Sequence, residues 1–156
     1  MNLLLRVLLA LHLCGLVLMA GTTVIDYFTF KTFCNLAGSG DSRAQGLLTV
    51  MARYGGLVRT GAVLLILTGV LMFAINSSWW EELWFKTKLA LALLLVLNGI
   101  FVGNSLGLKF RKLALNNAVF AQQGDAVCTQ LNRFYVLQLI LFALLIAISV
   151  IRPTRQ

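Results

Sequence analysis

Four long apolar stretches separated by polar clusters set the pattern of the chain. They run from about Leu3 to Phe30, Leu47 to Ile75, Leu83 to Leu108 and Leu131 to Ile151. A helix needs roughly 20 mostly apolar residues to cross the hydrocarbon core of a bilayer, and each stretch has that length. The second and third are separated by Asn76-Ser77-Ser78-Trp79-Trp80-Glu81-Glu82, a connection short enough to predict an antiparallel hairpin. The other two connections, residues 31–46 and 109–130, are longer and polar. Within the latter, Lys109 to Gln123 interleaves Arg111, Lys112 and Asn116 with Leu113, Leu115 and Val119, a pattern suited to a helix lying on the membrane surface. The predicted fold is all-α, a single integral membrane domain over residues 1–156 built as an up-down four-helix bundle.

The first stretch superficially resembles a signal peptide, because Ala20-Gly21 looks like a cleavage point and Leu13-Cys14-Gly15 like a lipoprotein processing site. Its basic leader is nearly absent, however. His12 interrupts the apolar run, and apolar character continues to Phe30, so a retained helix is expected.

Composition reinforces the membrane assignment. Of the 156 residues, 60% are apolar and 12% charged, against roughly 45–50% and 25% in soluble domains. A water-soluble fold of this size keeps too much surface exposed to hide that apolar content. Soluble enzymes, secreted disulfide scaffolds and nucleic-acid binding are therefore excluded together. The net charge of +8 is read as contact with anionic headgroups rather than with nucleic acid.

With four spans, both termini and the 76–82 turn share one face, the terminal end. The opposite end carries Lys31, Arg43, Lys109, Arg111, Lys112 and Arg133, with Arg53 close behind. The terminal end has Arg6, Arg152 and Arg155, plus Lys86 and Lys88 just inside the third helix. The positive-inside rule places the long connections in the cytoplasm. Cys34 and Cys128 both fall at that end and are expected there as reduced thiols, while Cys14 sits within a helix as a small apolar group. A Cys34–Cys128 disulfide would reverse the orientation.

Several polar residues inside the spans are candidates for chemistry, since intramembrane ionisable groups are costly. His12, the single histidine, lies roughly 14 Å along the first helix from Leu3, at the depth of Thr68, Ala92 and Phe142. It is either a neutral imidazole bonded to Thr68 or a carbonyl, or a ligand and proton-handling group. Lys88 lies about 6 Å from that level and either snorkels or aims its cation into the bundle at an anionic ligand. Lys86 can fold back to Glu82. Asp26 and Arg53 have depths that allow an ion pair, and Arg59 with Tyr54 can face a cavity. Asn98 and Gln138 reach similar depths and can bond across the third and fourth helices. Gly99, Gly103 and Gly107 form two overlapping GxxxG units, a close-packing stripe for a helix of this chain or a second copy. Trp79, Trp80 and Trp84 suit an interfacial belt. There is no CxxC, HExxH or phosphate-cradling glycine loop.

The first helix reads Leu11-His12-Leu13-Cys14-Gly15, and the second reads Arg53-Tyr54-Gly55-Gly56-Leu57-Val58-Arg59-Thr60-Gly61 followed by Leu67-Thr68-Gly69. The third opens Trp84-Phe85-Lys86-Thr87-Lys88. Together these resemble a superfamily of small bacterial four-helix membrane proteins that includes membrane-bound protoporphyrinogen IX oxidase and the membrane domain of copper-resistance protein D. The resemblance spans roughly residues 1–110. It implies His12 and Lys88, or Lys86, as the hallmark histidine and lysine of the porphyrin-oxidising branch, and placement in a bacterial inner (cytoplasmic) membrane. It also implies haem b or a porphyrin as the bound group, with His12 as metal ligand or proton acceptor and Lys86, Lys88 and Arg59 holding propionates. Where that branch has a Pro-Arg pair and a second histidine, this chain has Asp26-Tyr27-Phe28 and Asn98-Gly99. Two further readings stand beside it. One is a non-catalytic accessory or assembly subunit docking a membrane-complex partner, or a second copy as a homodimer, through the glycine stripe. The other is copper or small-solute handling, for which Met19 lies roughly 10 Å from His12 along the helix.

Overall fold

Apolar residues at helical spacing persist well beyond the four lipid-length stretches, and the helices follow them. The computed structural model describes residues 3–75, 80–115 and 117–150; Asn76, Ser77, Ser78, Trp79, Asn116, Ile151, Arg152 and Arg155 lie outside the described residues. The helices are α1 (Leu3–Gly38), α2 (Arg43–Ile75), α3 (Leu83–Ala114) and α4 (Asn117–Val150). All four are long and apolar enough to cross a membrane, and no strand occurs among the described residues. The protein is an all-α integral membrane four-helix bundle.

At about 1.5 Å per residue, the 36 residues of α1 extend about 54 Å, while the hydrocarbon layer is about 30 Å thick. The excess stands at the end opposite the termini and forms a cap. Most of the polar connections expected at 31–46 and 109–130 are therefore helix. Residues 39–42 join α1 to α2, and Lys109 to Gln123 is the end of α3, a turn and the start of α4 rather than one helix lying on the surface. The physical reason is an inward stripe at helical period. Phe120, Val127, Leu131 and Tyr135 are buried along α4, Phe110 and Ala114 along α3, and Phe30 and Phe33 along α1. Their rings meet edge-on, with Phe33–Phe110 centroids 5.0 Å apart and Phe33–Phe120 centroids 5.5 Å apart. Each fully buried ring contributes about 1.5–3 kcal/mol.

The same continuation brings Cys34 and Cys128 together as a disulfide with Cα atoms 6.5 Å apart. The expectation of two reduced thiols is thereby corrected. The disulfide runs against the cytoplasmic assignment of this end, which rested on the basic-residue count and expected reduced thiols. At the tip of the cap, Gly40 takes φ +72°, a conformation that favours glycine, and lets the Asp41 N–H reach back 3.0 Å to the Leu36 carbonyl. The Asp41 carboxylate then accepts the Arg43 N–H at 2.9 Å and pairs with the Arg43 guanidinium, which holds that carboxyl below its ordinary range.

Within the membrane, α1 and α2 form the most extensive helix pair, α4 packs on both α1 and α3, and α2 touches α3 mainly through the turns Asn104–Ala114. Gly15 and Gly61 make the α1–α2 crossing. A Cβ on Gly61 would stand 2.8 Å from the Met19 nitrogen and 3.0 Å from the Gly15 carbonyl oxygen. In α3, Asn98–Gly103 is wound as a π-helix, which breaks the regular four-residue register of the glycine stripe. Gly103 faces the Phe134 ring of α4 and Gly99 faces Gln138, whereas nothing lies within 4 Å of a Cβ on Gly107.

Candidate functional site

Three polar contacts cross the bundle at different depths. Nearest the terminal end, His12 on α1 meets Thr68 on α2 with Nδ1 and Oγ1 2.9 Å apart. The Thr68 hydroxyl has one proton and donates it to the Leu64 carbonyl at 2.6 Å. His12 Nδ1–H therefore donates to Thr68, and the lone pair resides on Nε2, which is left to accept a proton or a ligand. The ring lies against Gly69, where a Cβ would be in ordinary contact with His12 Cε1 at 3.4 Å. Lys88 of α3 is half-buried and near enough for its charge to act on the imidazole. On the terminal side of this layer, Phe73 stacks on Phe85 at 5.5 Å and meets Trp80 at 5.9 Å. On its other side, Met19, Leu95, Leu141 and Phe142 fill the bundle. The imidazole and ammonium thus lie between an aromatic layer and an apolar core, where charge and hydrogen bonding are strengthened by the absence of water.

The other proposed anion-holding residues do not join them. Arg59 is exposed, because the inward stripe of α2 runs through Met51, Val58, Gly61, Leu65 and Thr68. Two residues from Gly61, its side chain projects about 200° away around the helix. Lys86 is also exposed, with Nζ over the Trp80 ring at 5.9 Å, so it marks the membrane boundary rather than the bundle interior.

At mid-bundle, Asn98 donates to Gln138 Oε1 at 2.7 Å, and Gln138 Nε2 donates to the Leu95 carbonyl at 3.4 Å. Below the cap, the Tyr135 hydroxyl donates to Asp26 Oδ2 at 2.6 Å. The expected Asp26–Arg53 pair is corrected: Arg53 is exposed, two residues beyond inward-facing Met51. Depth was matched but the helix face was not. No ion pair to Asp26 occurs among the described residues, and exposed Arg111 acts on it only at longer range. Its guanidinium lies 4.0 Å from where a Cβ of Gly55 would be, and its charge acts on Asp26. Asp26 Oδ1 is buried without a hydrogen-bond partner. Tyr135 was absent from the sequence expectations, although it continues the Phe120, Val127, Leu131 stripe that would have found it.

Among the described residues no group of three or more His, Cys, Asp and Glu side chains could hold a metal ion. The chain has one histidine, so haem ligated by two imidazoles of one chain does not fit. Cys34 and Cys128 are committed to each other, and Cys14 is exposed on α1. What the arrangement can do is narrower: offer one imidazole nitrogen within the electrostatic reach of one cation, inside the bundle.

Neither a curated protein nor a solved structure matches the chain. Residues 6–155 match the family model described as predicted integral membrane protein (DUF2269), and the chain belongs to that family.

Proposed function

We propose that the protein is a porphyrin-associated membrane protein of the redox type that its first three helices resemble. The observation that carries this reading is the His12 imidazole held by Thr68 inside the bundle, with half-buried Lys88 of α3 near enough for its charge to act on it. Thr68 fixes the imidazole with Nε2 unprotonated, so His12 would be the group to take up a proton beside a bound tetrapyrrole. Lys88 pairs with a propionate carboxylate at the same level. If the bound group is haem b, His12 is the residue that would hold it, and the haem would supply the redox chemistry. The test is an absorption spectrum of the purified protein together with a titration by protoporphyrin IX. Binding that is lost in His12→Ala and weakened about tenfold to a hundredfold in Lys88→Gln, by removal of one charged hydrogen bond, supports the reading. A colourless protein with no porphyrin binding refutes it.

The reading extends to sidedness. The cap faces the oxidising side of a bacterial cytoplasmic membrane and the termini face the cytoplasm, because the Cys34–Cys128 bond is stable where thiols are not kept reduced. The opposing count of basic residues is reduced by engagement. Arg43 is paired with Asp41, and Lys31 lies over Tyr27 at 5.4 Å. An alkaline phosphatase reporter inserted at residue 40 is active on this reading and inactive on the reverse one.

A further inference from the structure

The outer seam between α3 and α4 carries a site that the His12 layer does not use. Here the π-helical turn Asn98–Gly103 and the turn after it line a shallow groove of about 540 Å³ against α4. The groove is two-ended. Its membrane-deep part is walled by Phe101, Val102 and Leu137, which are 69%, 41% and 48% exposed, and its cap-ward part by Ser105, Gln130 and Arg133. All three of the latter are exposed, and no carboxylate pairs with Arg133 among the described residues.

Depth decides what such a groove meets. At about 1.5 Å per residue, Arg133 stands about 26 Å from Val150 along α4 and Ser105 about 33 Å from Leu83 along α3. These distances bracket the far edge of a hydrocarbon layer about 30 Å thick, where lipid phosphates lie. Phe101 and Leu137 are on the hydrocarbon side of that edge. We propose that this groove binds one anionic phospholipid, the Arg133 guanidinium and the Gln130 and Ser105 polar groups holding its phosphate and an acyl chain lying over Phe101, Val102 and Leu137. An unpaired guanidinium at phosphate depth favours a negatively charged headgroup over a zwitterionic one, and the apolar walls continue straight into the bilayer. The occupant is a lipid of the surrounding leaflet, reached sideways from the membrane.

Native mass spectrometry of the detergent-solubilised full chain, delipidated and titrated with phosphatidylglycerol or phosphatidylcholine, tests this. The wild type retains one phosphatidylglycerol about fivefold more strongly than phosphatidylcholine, as about one arginine–lipid contact predicts. Arg133→Gln abolishes that preference, whereas Lys31→Gln, a cap cation away from the groove, leaves it intact. Val102→Trp, which fills the groove, removes retention of either lipid. Helical circular dichroism confirms that each variant is folded. Equal retention of the two lipids by the wild type, an unchanged preference in Arg133→Gln, or a dimer that excludes lipid would overturn the proposal.

Discussion

Replacing Gly61 by alanine would place a methyl carbon 2.8 Å from the Met19 nitrogen and 3.0 Å from the Gly15 carbonyl oxygen. Favourable carbon contacts lie at about 3.5–4.0 Å, so α1 and α2 must part by more than half an ångström. The neighbours are backbone atoms of a second long helix, which no rotamer change can move. Overpacking of this kind costs about 1–3 kcal/mol. At Gly107 the same substitution meets nothing within 4 Å, and alanine is favoured over glycine in a helix by about 0.5–1 kcal/mol. The two variants should therefore differ by about 1.5–4 kcal/mol, with Gly61→Ala less stable and Gly107→Ala equal to or above wild type. Reversible unfolding by dodecyl sulfate in mixed micelles, followed by circular dichroism with the disulfide intact, measures the difference. If Gly61→Ala falls within 0.5 kcal/mol of Gly107→Ala, a difference too small for overpacking, the helices do not cross at that glycine. If Gly107→Ala is the damaging change, the α3 stripe is covered by something other than this chain.

Denatured without reductant, the protein should expose one maleimide-reactive thiol, Cys14, and after reduction all three cysteines. Two or more reactive thiols before reduction would refute the disulfide. Cys34→Ser should lower stability by about 2–4 kcal/mol in the same unfolding assay, since the bond closes a loop with a sequence separation of 94. Tyr135→Phe removes the donor to a buried carboxylate and should cost about 1–3 kcal/mol, while the double variant Tyr135→Phe with Asp26→Leu should recover part of that loss. Additive losses in that cycle would show that the two side chains do not interact. Gln138→Leu, which breaks the Asn98 contact, should cost about 0.6 kcal/mol and at most about 1.7, as intramembrane hydrogen bonds do. A loss of several kcal/mol would show that Gln138 serves more than α3–α4 packing.

The polar interior was legible in the sequence where depth alone determines contact. Counting residues from the helix ends placed Thr68 opposite His12, and Asn98 near Gln138, because antiparallel helices of fixed rise bring equal depths together. The same counting misled at Arg53 and Arg59. Which way a side chain faces depends on the neighbouring helix, and the inward stripe of α2 is defined by its packing on α1. Nor could depth alone tell that the Lys86 ammonium lies over the Trp80 ring.

The sequence by itself determined that this chain lives in a lipid bilayer as four antiparallel helices, because the free energy of hiding a long apolar run depends on composition and length, not on partners. Tertiary structure alone decided where the helices end and which glycines bring backbones together. The cap residues are too polar to register as spans, yet become helical by burying Phe30, Phe33, Phe110 and Phe120 against one another. The Gly99, Gly103, Gly107 repeat was the visible packing signal, while the tightest backbone approach fell at Gly15 and Gly61, whose partner lies 46 residues away along the chain. Contacts between distant segments fix faces, registers and the Cys34–Cys128 bond, and no local pattern contains them.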